Sequence, residues 1–512
     1  MAEREWREAS DMRSPRVALA LILLTAAALR YWSLGHGIPY GVSVDEPEIV
    51  VRAFHMMTTG SLNPQFFDYG SLHIYIQLVV SIVRFIAGAI AGEWSSLAEA
   101  GSGSFYLWGR FVTATFGVLT VLLVYQIGMR WGSRHALLAA ALMALMPLHV
   151  RYSHYVLTDT PLTFFVALAM LLSLVGHERP TTRAFMWAGA AAGLAAAVKY
   201  NGGLALVMPL VACWMTPGAR PSRLACSLAA IAAAAAAFFI AAPYTLLNLP
   251  GFLDRFASLT AEYRTNVPPA EPGYIIYLKH LRMQFGTPGF VLIAGGLLMG
   301  VIRAIRGPNR VGWAVALVFP IPYFLIVAQQ RIIYGRYLLP LVPMLCVLAA
   351  AAVISGVSLL RRYQFPRGVR TALIAGLTLA LLAPPAASAV GFNRMISQRS
   401  TVDEAYEWMK QNIPHGARVT LEGGHFRLPE PRFREERIPQ LRYQTIEQYA
   451  ASDVDYLVAS SQSYGPYFAS PREFRTEYTE YMTLFSQAHE VARFTPQEGR
   501  PGPELRIFEV RR

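Results

Sequence analysis

The stretch Leu72-His73-Ile74-Tyr75-Ile76-Gln77-Leu78-Val79-Val80-Ser81-Ile82-Val83-Arg84-Phe85-Ile86-Ala87-Gly88-Ala89-Ile90-Ala91-Gly92 decides the fold, because its reading sets the side on which every later loop lies. A bilayer-crossing helix needs about 20 mostly apolar residues, and this block is long enough. It nevertheless carries Arg84 near its centre and His73 at its start, and a lipid-embedded span tolerates such groups poorly. Eleven further apolar blocks flank it, near 17–34, 105–128, 136–150, 160–176, 184–198, 203–216, 223–242, 289–303, 311–328, 337–358 and 370–390. The short loops between them hold Arg130 and Arg134, Arg179 and Arg183, Arg220 and Arg223, Arg303, Arg306 and Arg310, and Arg361, Arg362, Arg367 and Arg370. Loops of that kind belong in the cytoplasm, and all of them would fall outside if 72–92 crossed. The block therefore reads as a helix lying in the outer interface. Eleven spans remain, with the N-terminus inside and the C-terminus outside.

Composition agrees. A chain of 512 residues that is 54% hydrophobic and 15% charged is no soluble enzyme, disordered chain or disulfide scaffold. Cys213, Cys226 and Cys346 all sit inside apolar blocks, where a thiol acts as a small hydrophobe. The formal charge of +13 comes from arginines gathered between the blocks, so it reports topology and no nucleic-acid partner. Arg4, Arg7, Arg13 and Arg16 precede a run that continues into Leu29-Arg30-Tyr31-Trp32, which reads as an uncleaved first span ending in an interfacial anchor. The expected organisation is a membrane domain over 1–392, including an outer loop at 35–103, and an extracytoplasmic domain over 393–512. In the latter, a helix-like stretch from Thr401 to Asn412 precedes short apolar segments at 418–421, 455–459, 490–494 and 505–510. A helix followed by short strands reads as a small α/β domain. Its Phe426, Arg427, Phe433, Arg434 and Tyr443 read as domain surface, with holding an acceptor as the competing role.

Chemistry is concentrated on the outer side. Asp45-Glu46, followed by Pro47 and Glu48, opens the first outer loop, and a partly buried carboxylate there can act as a general base. Asp159 begins a later block after Thr158 and before Pro161, a helix-cap and first-turn pattern. Arg110, Lys199 and Arg336 lie at or near outer span ends, where positive-inside bias does not explain them. No HExxH or other paired-ligand spacing joins His55, His73, His149 and His154, so a divalent metal is possible but not expected, no metal ligand is assigned and no cofactor is implied.

The run Asp45 to Met56, then Thr59-Gly60-Ser61-Leu62-Asn63-Pro64, then Phe67-Asp68-Tyr69-Gly70-Ser71-Leu72-His73-Ile74-Tyr75 resembles the first outer loop of the polyprenyl-phosphate-dependent glycosyltransferases of the GT-C fold. That group, glycosyltransferase family 39, holds the protein O-mannosyltransferases and the aminoarabinose transferases of lipid A. Four patches extend the resemblance: Trp108-Gly109-Arg110-Phe111, Tyr152-Ser153-His154 through Asp159-Thr160, Gly193 through Lys199-Tyr200-Asn201-Gly202, and Arg336-Tyr337-Leu338-Leu339-Pro340. The sequence departs from the family at Tyr69-Gly70-Ser71-Leu72-His73, where a Lys often stands. The resemblance covers roughly 17–390.

The resemblance implies an α-helical polytopic membrane protein of GT-C type, with about 11 transmembrane helices, outer juxtamembrane helices and a small C-terminal α/β domain. It implies an inverting glycosyltransferase that moves a sugar from a polyprenyl phosphate to a hydroxyl of a protein, lipid or glycan on the extracytoplasmic side of the plasma membrane. Asp45 would be the base, Glu46 would support the loop, and Asp159 would order the base or acceptor. Arg110, Arg336 and Lys199 would take the donor phosphate, with His73, Tyr69 and Tyr200 as further donor-site residues. The competing class is a transporter or flippase of lipid-linked sugars, but the ionisable residues gather at one face and no inverted repeat is visible.

Overall fold

The computed structural model describes residues 2–38, 45–100, 103–217, 222–265, 269, 271–360, 362–363, 365–424 and 432–510. Arg220, Arg361, Phe426 and Arg427 lie outside these. The first helices are α1 (Ala2–Tyr31), α2 (Glu46–Thr59), α3 (Leu72–Ile90) and α4 (Gly103–Gly128). They are followed by α5 (Ser133–Leu145), α6 (Pro147–Tyr152), α7 (Asp159–Glu178), α8 (Thr182–Val198), α9 (Val207–Met215) and α10 (Arg223–Ala241). Next come α11 (Tyr244–Leu247), α12 (Leu249–Thr265), α13 (Gly273–Arg306), α14 (Arg310–Val318), α15 (Pro320–Ala328), α16 (Val342–Leu360) and α17 (Arg367–Ile396).

All twelve apolar blocks fall on helices, and eight helical stretches among the described residues are long and apolar enough to cross a membrane. The protein is an integral membrane protein. The eight include Leu72–Ile90, which length and composition alone admit, while α5 is too short to count by itself. The blocks at 136–150, 203–216, 311–328 and 337–358 are each broken in two. One break has a plain cause: Pro147 has no N–H to continue α5, and it starts α6 at the first helical position. Arg30 collects the carbonyls freed nearby. Its guanidinium donates to Met143 O at 3.0 Å and Ala144 O at 2.9 Å.

The chain divides into two compact units. The first comprises Met1–Trp32, Ile49–Leu97 and Trp108–Gly391. Its tightest packing is that of α8 on α10. A Cβ at Gly189 or Gly193 would stand 2.1 Å from the carbonyl oxygen of Ala230 or Ala234, so the two small residues, four apart, let the backbones touch. α8 then ends at Val198, Lys199 is extended, and a 3-10 segment Tyr200–Leu206 follows. A second 3-10 segment, Gly335–Leu341, precedes α16 and packs against α7.

The second unit comprises Ser33–Glu48, Ala98–Leu107 and Phe392–Arg512. Its tail contains α18 (Thr401–Asn412), β1 (Arg418–Glu422), β2 (Arg434–Ile438), α19 (Ile446–Ala451), β3 (Tyr456–Ser460), α20 (Ser461–Ala469), α21 (Arg475–Gln487), β4 (His489–Phe494) and β5 (Leu505–Glu509). The strands form one sheet in the order β2-β1-β3-β5-β4, with β2, β1 and β3 parallel and β5 antiparallel to both its neighbours. Val419, Leu421, Val458 and Ile507 face α18 through Ala405, Tyr406 and Met409. Leu457, Ala459 and Phe508 pack with Tyr481, Leu484 and Phe485 of α21 on the other face. The α18 start carries a capping box between Ser400 and Asp403. Phe433 is buried in this core, so it is neither domain surface nor free to hold an acceptor.

Candidate functional site

The polar residues of the first unit come together where helices stop. Asp159 opens α7, Lys199 sits at the break after α8, and Arg336 lies in the 3-10 segment before α16. A helix end leaves backbone groups unpaired and lets a side chain leave the bundle axis, so three interruptions can converge polar groups without a charge in mid-helix. Lys199 Nζ is 3.0 Å from Asp159 Oδ1, and Arg336 Nε is 3.8 Å from Asp159 Oδ2. The Asp159 side chain is 3% exposed, against 14% for Lys199 and 17% for Arg336, so all three are mostly buried and the cations are the more accessible. Thr158, which the sequence pattern put at the cap, makes no side-chain cap bond.

Aromatic rings line the cations. The Lys199 ammonium lies 4.5 Å from the Tyr337 ring centroid and 5.7 Å from that of Tyr69. The Arg336 guanidinium is 4.5 Å from the Tyr334 ring. Such faces stabilise a cation away from bulk water. Tyr337 and Tyr263 share a hydrogen bond of 2.6 Å between hydroxyls. Burial pushes the Tyr263 phenol up, partly offset by that bond, so it remains a neutral hydroxyl.

Gly70 itself has a steric reason. A Cβ on Gly70 would meet Ala197 O at 2.1 Å, so only glycine lets this loop pass the end of α8. Tyr200 holds the same loop. Its hydroxyl lies 3.0 Å from Phe67 O and 2.9 Å from Tyr69 O, sharing one hydrogen between them. Arg255 of α12 ties in Asp68, with Nη2 at 2.8 Å from Oδ2. His73, in the first turn of α3, is fully buried and within electrostatic reach of Asp159. Arg110 is also fully buried, with its guanidinium 5.5 Å from the Tyr155 ring.

The structure thus brings Asp159, Lys199, Arg336, Tyr69 and Tyr200 into one neighbourhood with His73 at its edge, and sets Arg110 beside Tyr155. Asp45 and Glu46 belong to the second unit; Glu46 is buried in the first turn of α2, and Asp45 immediately precedes it. Sequence reasoning did not assign Tyr263 or the Asn201–Tyr323 pair, where Nδ2 lies 3.0 Å from the hydroxyl. A tyrosine near a span end is most often an anchor, and no pattern marks these apart. No group of three or more His, Cys, Asp and Glu suited to a metal occurs among the described residues.

The many membrane-length helices followed by a small tail sheet have their counterpart among solved structures, which show the GT-C fold. Archaeal oligosaccharyltransferase AglB from Archaeoglobus fulgidus, in complex with an inhibitory peptide and a dolichol-phosphate, superposes with a TM-score of 0.58 at 14% identity, covering 96% of this chain and 74% of that one. ArnT from Cupriavidus metallidurans bound to undecaprenyl phosphate gives 0.57 at 14% identity, covering 96% and 98%. In sequence, residues 44–257 match the family model described as dolichyl-phosphate-mannose-protein mannosyltransferase. The dolichyl-phosphate-mannose–protein mannosyltransferase 1 of Saccharomyces cerevisiae is 30% identical over 170 residues, 31% of this chain. The chain spans about 20% of the length of that relative.

Proposed function

We propose that the protein is an inverting glycosyltransferase that moves a sugar from a polyprenyl phosphate to an acceptor hydroxyl. The observation that carries this reading is the Asp159–Lys199–Arg336 cluster. Two cations share one buried carboxylate, which leaves net positive charge for a phosphate. The names of the similar proteins favour a transferase over a transporter of lipid-linked sugars. An apolar cavity of about 470 Å³, lined by Tyr200, Leu204, Val207, Leu210, Tyr323 and Ile326, begins at Tyr200 and suits the first isoprene units of a lipid carrier.

In the reaction, the acceptor oxygen bonds to the anomeric carbon as the bond from that carbon to the phosphate oxygen breaks. The acceptor proton goes to a carboxylate base, a role that the sequence resemblance gives to Asp45, and polyprenyl phosphate leaves with an added negative charge. Lys199 and Arg336, with Arg110, take up that charge. Fixed donors aimed at developing charge are the largest single source of rate enhancement in such sites. Asp159 holds the two cations in register before the donor arrives. The acceptor is a protein, lipid or glycan hydroxyl on the extracytoplasmic face of the plasma membrane, and the basic loops support an N-terminus in the cytoplasm. A reporter fused after Val390 is expected to read the outer side.

The test is turnover by the full chain in lipid nanodiscs, offered a panel of polyprenyl phosphate sugars. Wild type is expected to release polyprenyl phosphate from one of them. Asp45→Asn is expected to lose roughly 10²–10⁴-fold in turnover while still binding the donor. Equal turnover in the variant removes Asp45 from the base role.

A further inference from the structure

α3 is inside out for a helix in water. Beside Ile74 and Leu78 it buries His73, Gln77, Ser81 and Arg84, and it exposes Val79, Ile82, Val83, Ile86 and Ile90. The apolar stripe suits lipid tails or the interface, but the buried row carries a cost. At its far end, Arg84 pairs with Glu93 and lies 4.5 Å from the Trp94 ring. At the near end, matters differ. His73 is fully buried, and neither of its ring nitrogens has a hydrogen-bond partner among the described residues. Gln77 Nε2 and Ser71 Oγ, in residues 2% and 1% exposed, are likewise unpartnered. Buried polar groups are nearly always paired, and each one left alone is destabilising.

His73 and Gln77 are four residues apart and share one helix face. His73 is within reach of the Asp159 charge. On the other side, a Cβ at Gly109 would stand 2.5 Å from Gln77 Oε1 and 2.8 Å from Val156 Cγ2. The row therefore runs from the Asp159–Lys199–Arg336 cluster toward Gly109, the neighbour of Arg110. Ser71 precedes it, one residue after the Gly70 contact with α8.

The hydrogen-bonding capacity of the row selects its ligand chemistry. A neutral imidazole offers one donor and one acceptor, a serine hydroxyl offers both, and the free glutamine nitrogen donates. A phosphate only accepts, so it would leave the imidazole acceptor unpaired, and it has cations of its own nearby. Groups that donate and accept on adjacent atoms are the hydroxyls of a sugar ring. Resting on the transferase reading above, we infer that Ser71, His73 and Gln77 form the subsite that reads the hydroxyl pattern of the transferred sugar. Gln77 is its specificity-determining residue, fixed by the close approach of Gly109.

A site built to bond a hydroxyl rejects the analogue that lacks it far more strongly than a site that merely surrounds it. The experiment takes the hexose donor that wild type turns over in the panel above and measures kcat/KM for it and for its monodeoxy analogues, in wild type, Gln77→Leu, His73→Phe and Ser71→Ala. In wild type, at least one deoxy donor is expected to fall by roughly 100-fold or more. In Gln77→Leu or His73→Phe the same analogue is expected to come within about tenfold of the parent, because the variant has lost the group that the missing hydroxyl would have paired. Equal use of all deoxy donors by wild type overturns the inference without recourse to any variant, as does wild-type discrimination retained in all three substitutions. Turnover of no parent donor at all overturns the proposed function and this inference with it.

Discussion

Two buried polar centres of this protein contrast. In the tail, Glu422 at the end of β1 is 2% exposed, yet its carboxylate accepts from Leu441 N and Ser460 N, both at 2.9 Å, and from the Tyr481 hydroxyl. In the membrane unit, His73 is as deeply buried and has no partner on either nitrogen. A complete network is structural: Glu422 fastens β1 to the start of α20, to α21 and to the segment before α19, and has little capacity left for anything else. An incomplete one, beside an ion-paired cluster of two cations and one carboxylate, is built for something that arrives later.

The largest expected effect tests the incomplete side. Arg336→Ala should reduce donor turnover by roughly 10²–10³-fold, the usual cost of removing one fixed donor from developing charge. Single-turnover kinetics would check this, and a rate within twofold of wild type would move phosphate stabilisation elsewhere. The complete side is tested by Glu422→Leu, which strands three donors and should destabilise the tail by about 3 kcal/mol. The readout is hydrogen exchange at Leu441 and Ser460, whose protection should collapse while that of α7 and α8 stays unchanged. A milder change is Tyr200→Phe, which releases the loop at Phe67 and Tyr69 and should weaken donor affinity by about tenfold, as expected for the loss of one buried hydrogen bond.

The smallest effect is one of pH. Burial raises the Glu422 carboxyl above its ordinary value, although the three hydrogen bonds work against the shift. A carboxyl raised in the folded state binds its proton more tightly there than when unfolded, so the tail is relatively more stable below the ordinary carboxylate range and loses that increment as pH rises through the folded value. Exchange protection of the tail, corrected for intrinsic rates, should therefore be modestly greater near pH 5 than at pH 7. Glu422→Gln should abolish the difference, and an opposite slope in wild type would show that the hydrogen bonds outweigh burial.

Much of the fold was legible because the bilayer imposes a length. All twelve apolar blocks became helices, and α18 runs over Thr401–Asn412 as its pattern indicated. The four apolar tail segments became strands, whereas β2 did not announce itself. Its Arg-Glu-Glu-Arg-Ile sequence is that of a charged sheet edge, and charge there prevents edge-to-edge pairing. The breaks at Phe319 and before Val342 went unread inside apolar runs, although Pro320 and Pro340 stand beside them as Pro147 does at the end of α5. Asp159, Lys199 and Arg336 could be singled out as ionisable groups at span ends, but their pairing depends on three helix breaks meeting in space. Gln77 carried no signal, because one amide inside an apolar run looks like a tolerated exception until the structure shows it buried on the face that turns away from lipid.

In the proposed function, the cluster around Asp159 binds the phosphate of a polyprenyl carrier. Its most direct test is equilibrium binding of polyprenyl monophosphate, without sugar or acceptor, to the full chain in nanodiscs, comparing wild type with Arg336→Ala and Lys199→Ala. Affinity at least about tenfold weaker in each variant, with the wild-type affinity falling as salt rises, is the predicted result. Equal affinity in all three proteins would contradict it.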